Sequence, residues 1–432
     1  ALLDSQERLM IAEIPGMLIA FQHTTVYWVI LLFFGFYPML SAIVWLVTSA
    51  IYFSRKEQLP AEAEAGLYAL PDPPPPVSVL IPAYCEEKVI EATVEGALRI
   101  DYPDFEVVVV DDGSKDDTVA RLAPWLESGR IRLIRKTANE GKAMALNDAL
   151  LCLNGEIVLT IDADAVVDPQ ILLHLVPHFS SSRVAAVTGN PRVSNRRTLL
   201  SKIQLIEFTS IVGILRRAQR VWGRIQTVSG VVVAFRKKAL FDVGLFDPSM
   251  ATEDIDMSWR LQKRFWDIRY EPRALVWMQV PETIGAFFTQ RKRWAVGLGQ
   301  VLRSHLGILL RRKNLRQWPV AYESVLSILW AFCFVILTSL WIFSYAIGIP
   351  PVGAHPIPNF WGMTIATVCI LQLSAGVALD RHYDRSVLPY VTYTVLYPLI
   401  YWAITSTIAF LYTPVGLLRR RPRITLWKTE RT

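Results

Sequence analysis

Val107-Val108-Val109-Val110-Asp111-Asp112-Gly113-Ser114 is a run of β-branched residues that ends in two carboxylates and a glycine. A continuous apolar run of this kind is typical of a strand buried on both faces of a parallel sheet. Similar runs cover residues 77–84, 131–135 and 157–161, and helical periodicity covers residues 87–98 and 142–152 between them. This alternation predicts an α/β fold with a mixed, mainly parallel sheet.

Acidic residues follow two of these predicted strands directly. Asp111 and Asp112 end the first run, and Asp162-Ala163-Asp164 ends the strand at 157–161. Ligands of open α/β sheets bind outside the carboxyl ends of the strands, so we expect these carboxylates to line one site. Each motif alone has a simpler interpretation, because an Asp before Gly also starts ordinary turns.

Beyond residue 183 the pattern is less regular. We predict strands at 184–187 and 228–236 and helices at 199–220, 252–265 and 281–304, with Thr252 as the N-cap of the second helix. Glu253 and Asp254 fall in the first turn of that helix, where the helix dipole favours carboxylates and would keep an active-site base ionised. The last helix carries Gln290-Arg291-Lys292-Arg293-Trp294, which fits an interfacial basic helix or a site for a diphosphate and a sugar ring.

Composition indicates that the chain belongs partly in a membrane. Of its 432 residues 52% are hydrophobic, the mean hydropathy is +0.32 and the formal charge is +7, whereas soluble proteins contain about 45–50% apolar residues. The excess lies in nearly uncharged stretches at 26–53, 320–349, 359–379 and 388–416, each long enough to cross a bilayer. These features exclude a purely soluble protein and a disordered chain. The four cysteines and six histidines form no CxxC or HExxH pattern, which argues against a zinc site or a disulfide framework.

The same features divide the chain into six predicted parts. These are an N-terminal segment with a transmembrane helix (1–55), a proline-rich linker (56–76), a cytoplasmic α/β domain (77–281), interfacial amphipathic helices (282–318), C-terminal transmembrane helices (319–416) and a basic tail (417–432). Arg55 and Lys56 place the end of the first span in the cytoplasm under the positive-inside rule. Three later spans would leave the basic residues 419–423 outside, so either one apolar segment is re-entrant, with Pro398 as a candidate break, or the tail is an exception.

Four motifs, taken in order, resemble those of the processive glycosyltransferases of family two, which include cellulose, chitin and hyaluronan synthases. They are Asp111-Asp112-Gly113, Asp162-Ala163-Asp164, Thr252-Glu253-Asp254 and Gln290-Arg291-Lys292-Arg293-Trp294. The blocks 187–192, 252–255, 270–275 and 281–283 resemble more narrowly the bacterial poly-β-1,6-N-acetylglucosamine synthases that make biofilm exopolysaccharide. Cys85 departs from that pattern, which usually has Asn, and so does the tail segment Trp427-Lys428-Thr429.

The resemblance implies a GT-A type nucleotide-sugar transferase domain flanked by transmembrane and interfacial helices, with UDP-N-acetylglucosamine as donor and Mg²⁺ or Mn²⁺ as cofactor. It assigns nucleotide-sugar binding to Ala83, Tyr84, Glu86, Asp112, Lys142 and Asp162, the metal to Asp164, and acceptor or polymer binding to Glu253, Gln290 and Trp294. Asp254 would be the general base, Arg293 would stabilise the leaving diphosphate, and Trp294 would stack on the acceptor sugar.

The resemblance also implies a multi-pass protein of the bacterial inner membrane that polymerises and helps to export a polysaccharide. Its partners would be the growing chain, the lipid bilayer and a small accessory subunit with cyclic di-GMP, with no nucleic acid. Three alternatives stay open: a synthase of another polysaccharide (hyaluronan, chitin or cellulose), a transferase making a lipid-linked sugar, and a non-catalytic membrane transporter or scaffold.

Overall fold

In a computed structural model, the chain forms an α/β domain with long apolar helices on either side of it in sequence. The structure describes residues 13–58, 69–349, 352, 360–419, 422 and 424–426. Most of the predicted tail, including Trp427-Lys428-Thr429, and residues 59–68 of the predicted linker lie outside these described residues.

An eight-stranded mixed sheet forms the centre of the domain, with the order β3-β2-β1-β4-β7-β6-β8-β5. The strands are β1 Val77–Ala83, β2 Phe105–Asp111, β3 Arg132–Arg135, β4 Ile157–Ile161, β5 Ala165–Val167, β6 Val184–Val193, β7 Val232–Arg236 and β8 Asp267–Met278. The four strands β3, β2, β1 and β4 run parallel to one another, and β6 is parallel to β8. The remaining pairs, β4 with β7, β6 with β7 and β5 with β8, are antiparallel. The predicted mixed sheet is therefore confirmed.

Helices cover both faces of the sheet and extend beyond it. The α-helices are α1 Thr25–Tyr52, α2 Ile90–Leu98, α3 Thr118–Arg121, α4 Ala123–Glu127, α5 Lys142–Leu150, α6 Ile171–Leu175, α7 Leu199–Ile206, α8 Gly213–Trp222, α9 Lys237–Asp242, α10 Glu253–Lys263, α11 Ile284–His305, α12 Trp318–Ala346, α13 Phe360–Asp380 and α14 Trp402–Leu418. Segments of π-helix cover Phe53–Glu57, Glu207–Val212 and Tyr397–Tyr401, and 3-10 helix covers Val176–Ser180, Leu306–Leu310, Arg312–Gln317 and Arg385–Val395. The predicted helix at 199–220 is thus one helical stretch interrupted by a π segment.

Two apolar cores hold the sheet between these helices. Val94 and Leu172 pack on one face, and Leu146, Leu240 and Met257 pack on the other, all of them fully or almost fully buried. Each such side chain contributes about 1.5–3 kcal/mol on burial. Because both faces are covered, the strands read as continuous apolar runs, and only the ends of the sheet are free to carry polar chemistry.

A buried ion network joins the α/β domain to two of the apolar helices. Arg192 of β6 is paired with Asp380, the last residue of α13. Arg217 of α8 donates to the same carboxylate over 2.9 Å and to both oxygens of Glu57 over 2.6 and 3.0 Å. Tyr383 also donates to Glu57, over 2.8 Å. Removing one member would leave a buried charge unpaired, which is strongly destabilising, so this network fixes the domain against the helices.

Four helices are long and apolar enough to cross a membrane by length and composition: Thr25–Glu57, Arg312–Ala346, Gly362–Asp380 and Tyr397–Leu418. The predicted single stretch at 388–416 is wrong in its first part. Residues Arg385–Val395 form a separate 3-10 helix, where Asp384 and Ser386 accept hydrogen bonds from Arg196. Pro398 lies near the start of the last helix and does not break it, because the first turn of a helix tolerates proline.

Both ends of that last helix lie against the α/β domain and α11. The Tyr401 hydroxyl donates to Glu207 over 2.6 Å near its start. Beyond its end, the backbone N–H of Thr425 donates to the Pro248 carbonyl over 2.8 Å. The last apolar helix therefore lies along α11, from the contact of Phe287 with Tyr401 to the close approach of Gly299 to the Thr413 carbonyl.

Candidate active site

The predicted strand-end carboxylates do lie at one edge of the sheet. β2, β1 and β4 are adjacent and parallel, so Asp111 and Asp112 after β2 and Asp162 and Asp164 after β4 lie at the same carboxyl ends. The Asp112 N–H donates to the carbonyl of Ala83, the last residue of β1, over 2.9 Å. This edge is the candidate active site.

Asp112 holds the turn that leads into α5. It is fully buried, and its carboxylate accepts hydrogen bonds from the backbone N–H groups of Glu140 over 3.1 Å and Gly141 over 2.7 Å. Burial raises the pKa of Asp112, although these hydrogen bonds and the nearby Lys136, 3.5 Å away, oppose the rise. Any effect of Asp112 on a nucleotide would therefore pass largely through this turn.

The segment after β1 crosses the same edge. Tyr84 is partly exposed beside the site, and Glu86 is buried, with its backbone N–H donating to Thr118 over 2.7 Å. Cys85 between them has a φ of 55°, in the left-handed region, and its N–H donates to Ser114 over 2.9 Å. Asn adopts this region more readily than most residues, which gives a physical reason for the Asn of the resembling family.

We expect Cys85→Asn to stabilise the protein, because Asn relieves left-handed strain that is worth up to about 1–2 kcal/mol. The measurement is the midpoint of thermal unfolding in detergent, which should rise by a few degrees. Cys152→Asn is the matched control, since Cys152 is exposed and is not among the described residues with positive φ. A Cys85→Asn protein that melts at or below the wild-type midpoint would contradict the strain argument.

Lys142, the first residue of α5, is the centre of an acidic cluster. Its ammonium group is paired with Asp162, lies 3.6 Å from a Glu253 oxygen, and donates to the Gly230 carbonyl over 3.2 Å. Burial alone would lower the pKa of Lys142, but the attraction of Asp162 and Glu253 raises it above its ordinary value. Lys142 is therefore a fixed cation at the site, and the predicted nucleotide ligands Lys142 and Asp162 contact each other directly.

Asp254 lies beside this cation at the start of α10. A Cβ atom placed on Gly230 would be 3.1 Å from an Asp254 oxygen and 3.7 Å from the Lys142 nitrogen, so the two groups flank the same glycine. Burial, followed by repulsion from Glu253, raises the pKa of Asp254 to about 6, with Lys142 and Arg293 opposing the rise. A carboxylate with a pKa near the operating pH is suited to accept a proton.

Thr252 is the N-cap residue of α10, as predicted, but its side chain makes no capping hydrogen bond among the described residues. Its side chain instead packs against α11, where a Cβ on Gly297 would come within 2.3 Å of the Thr252 hydroxyl oxygen. The neighbouring Ala251 N–H donates to Gln300 of α11 over 2.9 Å. Helix α11 thus packs against the start of α10 through Gly297 and Gln300.

The two arginines of the Gln290–Trp294 segment have different environments. Arg291 is buried and donates to both oxygens of Glu207, over 3.0 and 2.6 Å. Arg293 is exposed and reaches toward the start of α10, 3.4 Å from the Ala251 carbonyl. Trp294 is half-buried, and the side-chain oxygen of Gln290 is buried with no hydrogen-bond partner among the described residues. Only Arg293 of the two arginines is placed to meet a ligand.

Two parts of the site were not predicted from sequence. Lys136 contacts Asp112, Glu140 and Asp148, and supports the turn before α5. The C-terminal segment also reaches the site, because the carbonyl of Thr425 lies 2.1 Å from a Cβ placed on Gly141. This C-terminal segment is far from the motifs in sequence, and its described residues carry no sequence motif that indicates a place in the site.

The carboxylates at this edge could bind a divalent cation if the substrate supplied further oxygen ligands. Asp162 and Asp164 supply the oxygen ligands that Mg²⁺ and Mn²⁺ prefer. Among the described residues, no group of three or more His, Cys, Asp or Glu side chains forms a metal cage. Mg²⁺ is commonly held by one or two carboxylates plus substrate phosphates, and the predicted ligand Asp164 suits that arrangement.

Comparison with known proteins accords with this geometry. The family described as glycosyltransferase like family 2 matches residues 74–297. The chain is 33% identical over 405 residues to the poly-beta-1,6-N-acetyl-D-glucosamine synthase of Staphylococcus epidermidis, covering 92% of this chain and 97% of the relative. It is 31% identical over 401 residues to the synthase of the same name from Staphylococcus aureus, with the same coverage.

The fold also matches a solved structure, a mannosyltransferase from Pyrobaculum calidifontis in complex with GDP-Man and Mn²⁺. The TM-score is 0.56 at 22% identity, and the match covers 87% of this chain and 98% of the other. The α/β domain therefore has the GT-A fold. Together with the family match across the whole site, this shows that the chain is an enzyme of glycosyltransferase family 2.

Proposed function

We propose that this enzyme is a processive, inverting N-acetylglucosaminyltransferase that uses UDP-N-acetylglucosamine to make β-1,6-linked poly-N-acetylglucosamine. The observation that carries the proposal is the acidic cluster around Lys142, with Asp254 poised as a base at the sheet edge where a family 2 enzyme binds its donor. The named relatives, similar over 92% of the chain, support this choice of sugar and linkage.

The donor side of the reaction would be held by the strand ends. Ala83, Tyr84, Glu86 and the turn supported by Asp112 would surround the uridine, and Lys142 and Arg293 would bind the diphosphate through charge-assisted hydrogen bonds. A divalent cation held by Asp164 would supply further neutralisation of the diphosphate charge. Lys142 would exchange part of its contact with Asp162 for the phosphate oxygens when the donor binds.

Asp254 would take the proton from the 6-hydroxyl of the terminal sugar of the growing chain. The hydroxyl oxygen then forms a bond to C1 of the donor sugar from the face opposite the diphosphate. The C1–O bond to the diphosphate breaks, and its electron pair leaves with UDP, so the anomeric centre is inverted. Glu253, Gln290 and the indole of Trp294 would hold the acceptor sugar in place for this attack.

The rate of sugar transfer should fall as pH drops through about 6. Asp254 is a base only when ionised, and its pKa near 6 leaves about tenfold less carboxylate for each pH unit below that value. Lys142→Gln should move this acid limb to higher pH, because it removes a cation that favours the ionised carboxylate. The measurement is the initial rate from about pH 3.5 to pH 8.5. An acid limb near pH 4, or one that stays in place in Lys142→Gln, would contradict the assignment.

The membrane part of the proposal rests on the apolar helices. We propose that the chain is a multi-pass protein of the bacterial inner membrane, with the transferase domain in the cytoplasm and apolar helices that help to export the polymer. The last apolar helix would be interfacial, because it is unbroken and packs along α11. Arg419 would then remain in the cytoplasm, in agreement with the positive-inside rule.

The direct test is to incubate the purified full chain in lipid with UDP-N-acetylglucosamine and Mg²⁺ and to analyse the product. We expect a long polymer that a β-1,6-specific hexosaminidase degrades and that hyaluronidase, chitinase and cellulase leave intact. Degradation by one of those enzymes instead would identify another polysaccharide synthase, and a single sugar on a lipid would identify a lipid-linked transferase. No transfer from any nucleotide sugar would favour a non-catalytic scaffold. Co-purification of a small subunit, with and without cyclic di-GMP, would test the proposed accessory partner.

A further inference from the structure

A second polar cluster, centred on one carboxylate, lies beside the Gln290–Trp294 segment and has no part in the chemistry described above. Its members are Glu207, Arg291 and Tyr401, which come from three separate parts of the chain. Arg291 makes two hydrogen bonds to the Glu207 carboxylate, and the Tyr401 hydroxyl donates to the same carboxylate over 2.6 Å. We call these three residues the carboxylate clamp.

The clamp is attached to the aromatic residue of the candidate acceptor site. Arg291 and Trp294 are three residues apart on α11 and so share a helix face. The Arg291 guanidinium carbon lies 4.2 Å from the centroid of the Trp294 ring, well within the distance of a cation–π contact. One face of the indole therefore contacts a guanidinium whose two terminal nitrogens both donate to Glu207.

Two irregular helical segments bring the clamp together. Glu207 is the first residue of the π segment Glu207–Val212, and Tyr401 is the last residue of the π segment Tyr397–Tyr401. Single-turn π segments inside α-helices occur often at functional sites. The Tyr401 ring also packs on Phe287 of α11 at 5.4 Å and stacks on Tyr397 at 4.8 Å. Tyr401 thus ties the last apolar helix to the helix that carries Trp294.

We propose that Glu207 and Tyr401 are positioning residues for the acceptor, acting through Arg291 to hold the indole of Trp294 where the terminal sugar of the growing chain stacks. The inference rests on the proposed polymerase function. It assigns a task to the last apolar helix, because that helix supplies Tyr401. It also separates the two arginines of the segment: Arg293 serves the donor and Arg291 serves the acceptor.

The consequence is a selective effect on chain growth. A loosened indole should weaken acceptor stacking, while the donor site around Lys142 keeps its contacts. For Tyr401→Phe and Glu207→Gln we expect the KM for an added β-1,6-linked glucosamine oligosaccharide to rise about tenfold, the value of one lost aromatic contact. The polymer should be several times shorter, and the KM for UDP-N-acetylglucosamine should stay within about twofold of the wild type, since the donor contacts are unchanged.

The experiment uses the full chain in lipid nanodiscs for kinetics and in detergent for ¹⁹F NMR after labelling its 14 tryptophans with 5-fluorotryptophan. The resonance that disappears in Trp294→Phe identifies Trp294. We expect this resonance to shift or broaden in Tyr401→Phe, Glu207→Gln and Arg291→Lys. Tyr345→Phe is the matched control, because it removes the same hydroxyl from an exposed position on α12 and should leave the resonance and the polymer length unchanged.

An unmoved Trp294 resonance in Tyr401→Phe and Glu207→Gln would overturn the inference. So would wild-type polymer length in these variants, or a donor KM that rises in parallel with the acceptor KM. If Glu207→Gln fails to fold, Tyr401→Phe, which keeps the ring and its packing, decides the question. A wild-type enzyme that makes no polymer would refute the proposed function, whereas the fluorine spectra test the clamp whatever the sugar.

Discussion

Replacing Asp254 with Asn should abolish sugar transfer, with a loss of about 10²–10⁴-fold or more, while UDP binding survives. The amide has nearly the same shape as the carboxylate but cannot take the proton of the attacking hydroxyl. Lys142, which would bind the diphosphate, keeps its contacts with Asp162 and Glu253 in this variant. The measurements are the rate of UDP release from UDP-N-acetylglucosamine and the affinity for UDP by calorimetry.

The same variant should unfold at a higher temperature than the wild type at pH 7 to 8. The pKa of Asp254 is raised in the folded state, so the proton it binds stabilises the fold below about pH 4, and that contribution is lost as pH rises through about 6. Asn carries no charge to bury at any pH. Asp101→Asn is the control, since Asp101 is exposed, and it should change neither activity nor melting temperature. Retained polymer synthesis in Asp254→Asn would refute the assignment of the base.

The parallel half of the sheet could be predicted from sequence because its strands are buried on both faces. β1, β2 and β4 are continuous apolar runs, and their acidic ends follow from the parallel arrangement alone. The longest strand, β8, was not predicted. It contains Glu271, Pro272 and Arg273, which interrupt the apolar run typical of a buried strand, and Pro272 has no backbone N–H to donate. The Glu271 carboxylate is held by Arg273 of the same strand and by the distant His178, which lies 2.8 Å from a Glu271 oxygen.

In the candidate site, too, single residues could be predicted from the local sequence, whereas contacts between residues distant in the chain could not. Each carboxylate could be found from the strand or helix end that carries it. The arrangement around Lys142 could not, because its partners Asp162, Glu253 and Asp254 lie 20 to 112 residues further along the chain. The two roles within the Gln290–Trp294 segment were also hidden, since only the fold shows that Glu207 takes Arg291 and leaves Arg293 exposed.

The contact between α11 and the start of α10 leads to the second large expected effect. Gly297→Ala should lower sugar transfer by about 10²-fold, comparable to other small misplacements of catalytic groups. The added Cβ would lie 2.3 Å from the Thr252 hydroxyl oxygen and 2.8 Å from its Cβ, closer than real atoms approach. Thr252 would have to move, and Glu253 and Asp254 follow it directly in the chain. The measurement is the initial rate of polymer synthesis at saturating donor.

Gly285→Ala is the matched control for this substitution, because Gly285 lies in the same helix and a Cβ placed on it would have no neighbouring atom within 4 Å among the described residues. It should be neutral or slightly stabilising, since Ala is favoured over Gly in helices by about 1 kcal/mol. Gly297→Ala gains the same helical propensity, so the protein should remain folded, and its loss of activity would reflect displacement of the base. Wild-type activity in Gly297→Ala would mean that Asp254 does not depend on α11 for its position. A combined Gly297→Ala and Thr252→Ser protein offers a rescue test: removing the Thr252 methyl group, which would lie 2.4 Å from the new Cβ, should restore part of the rate.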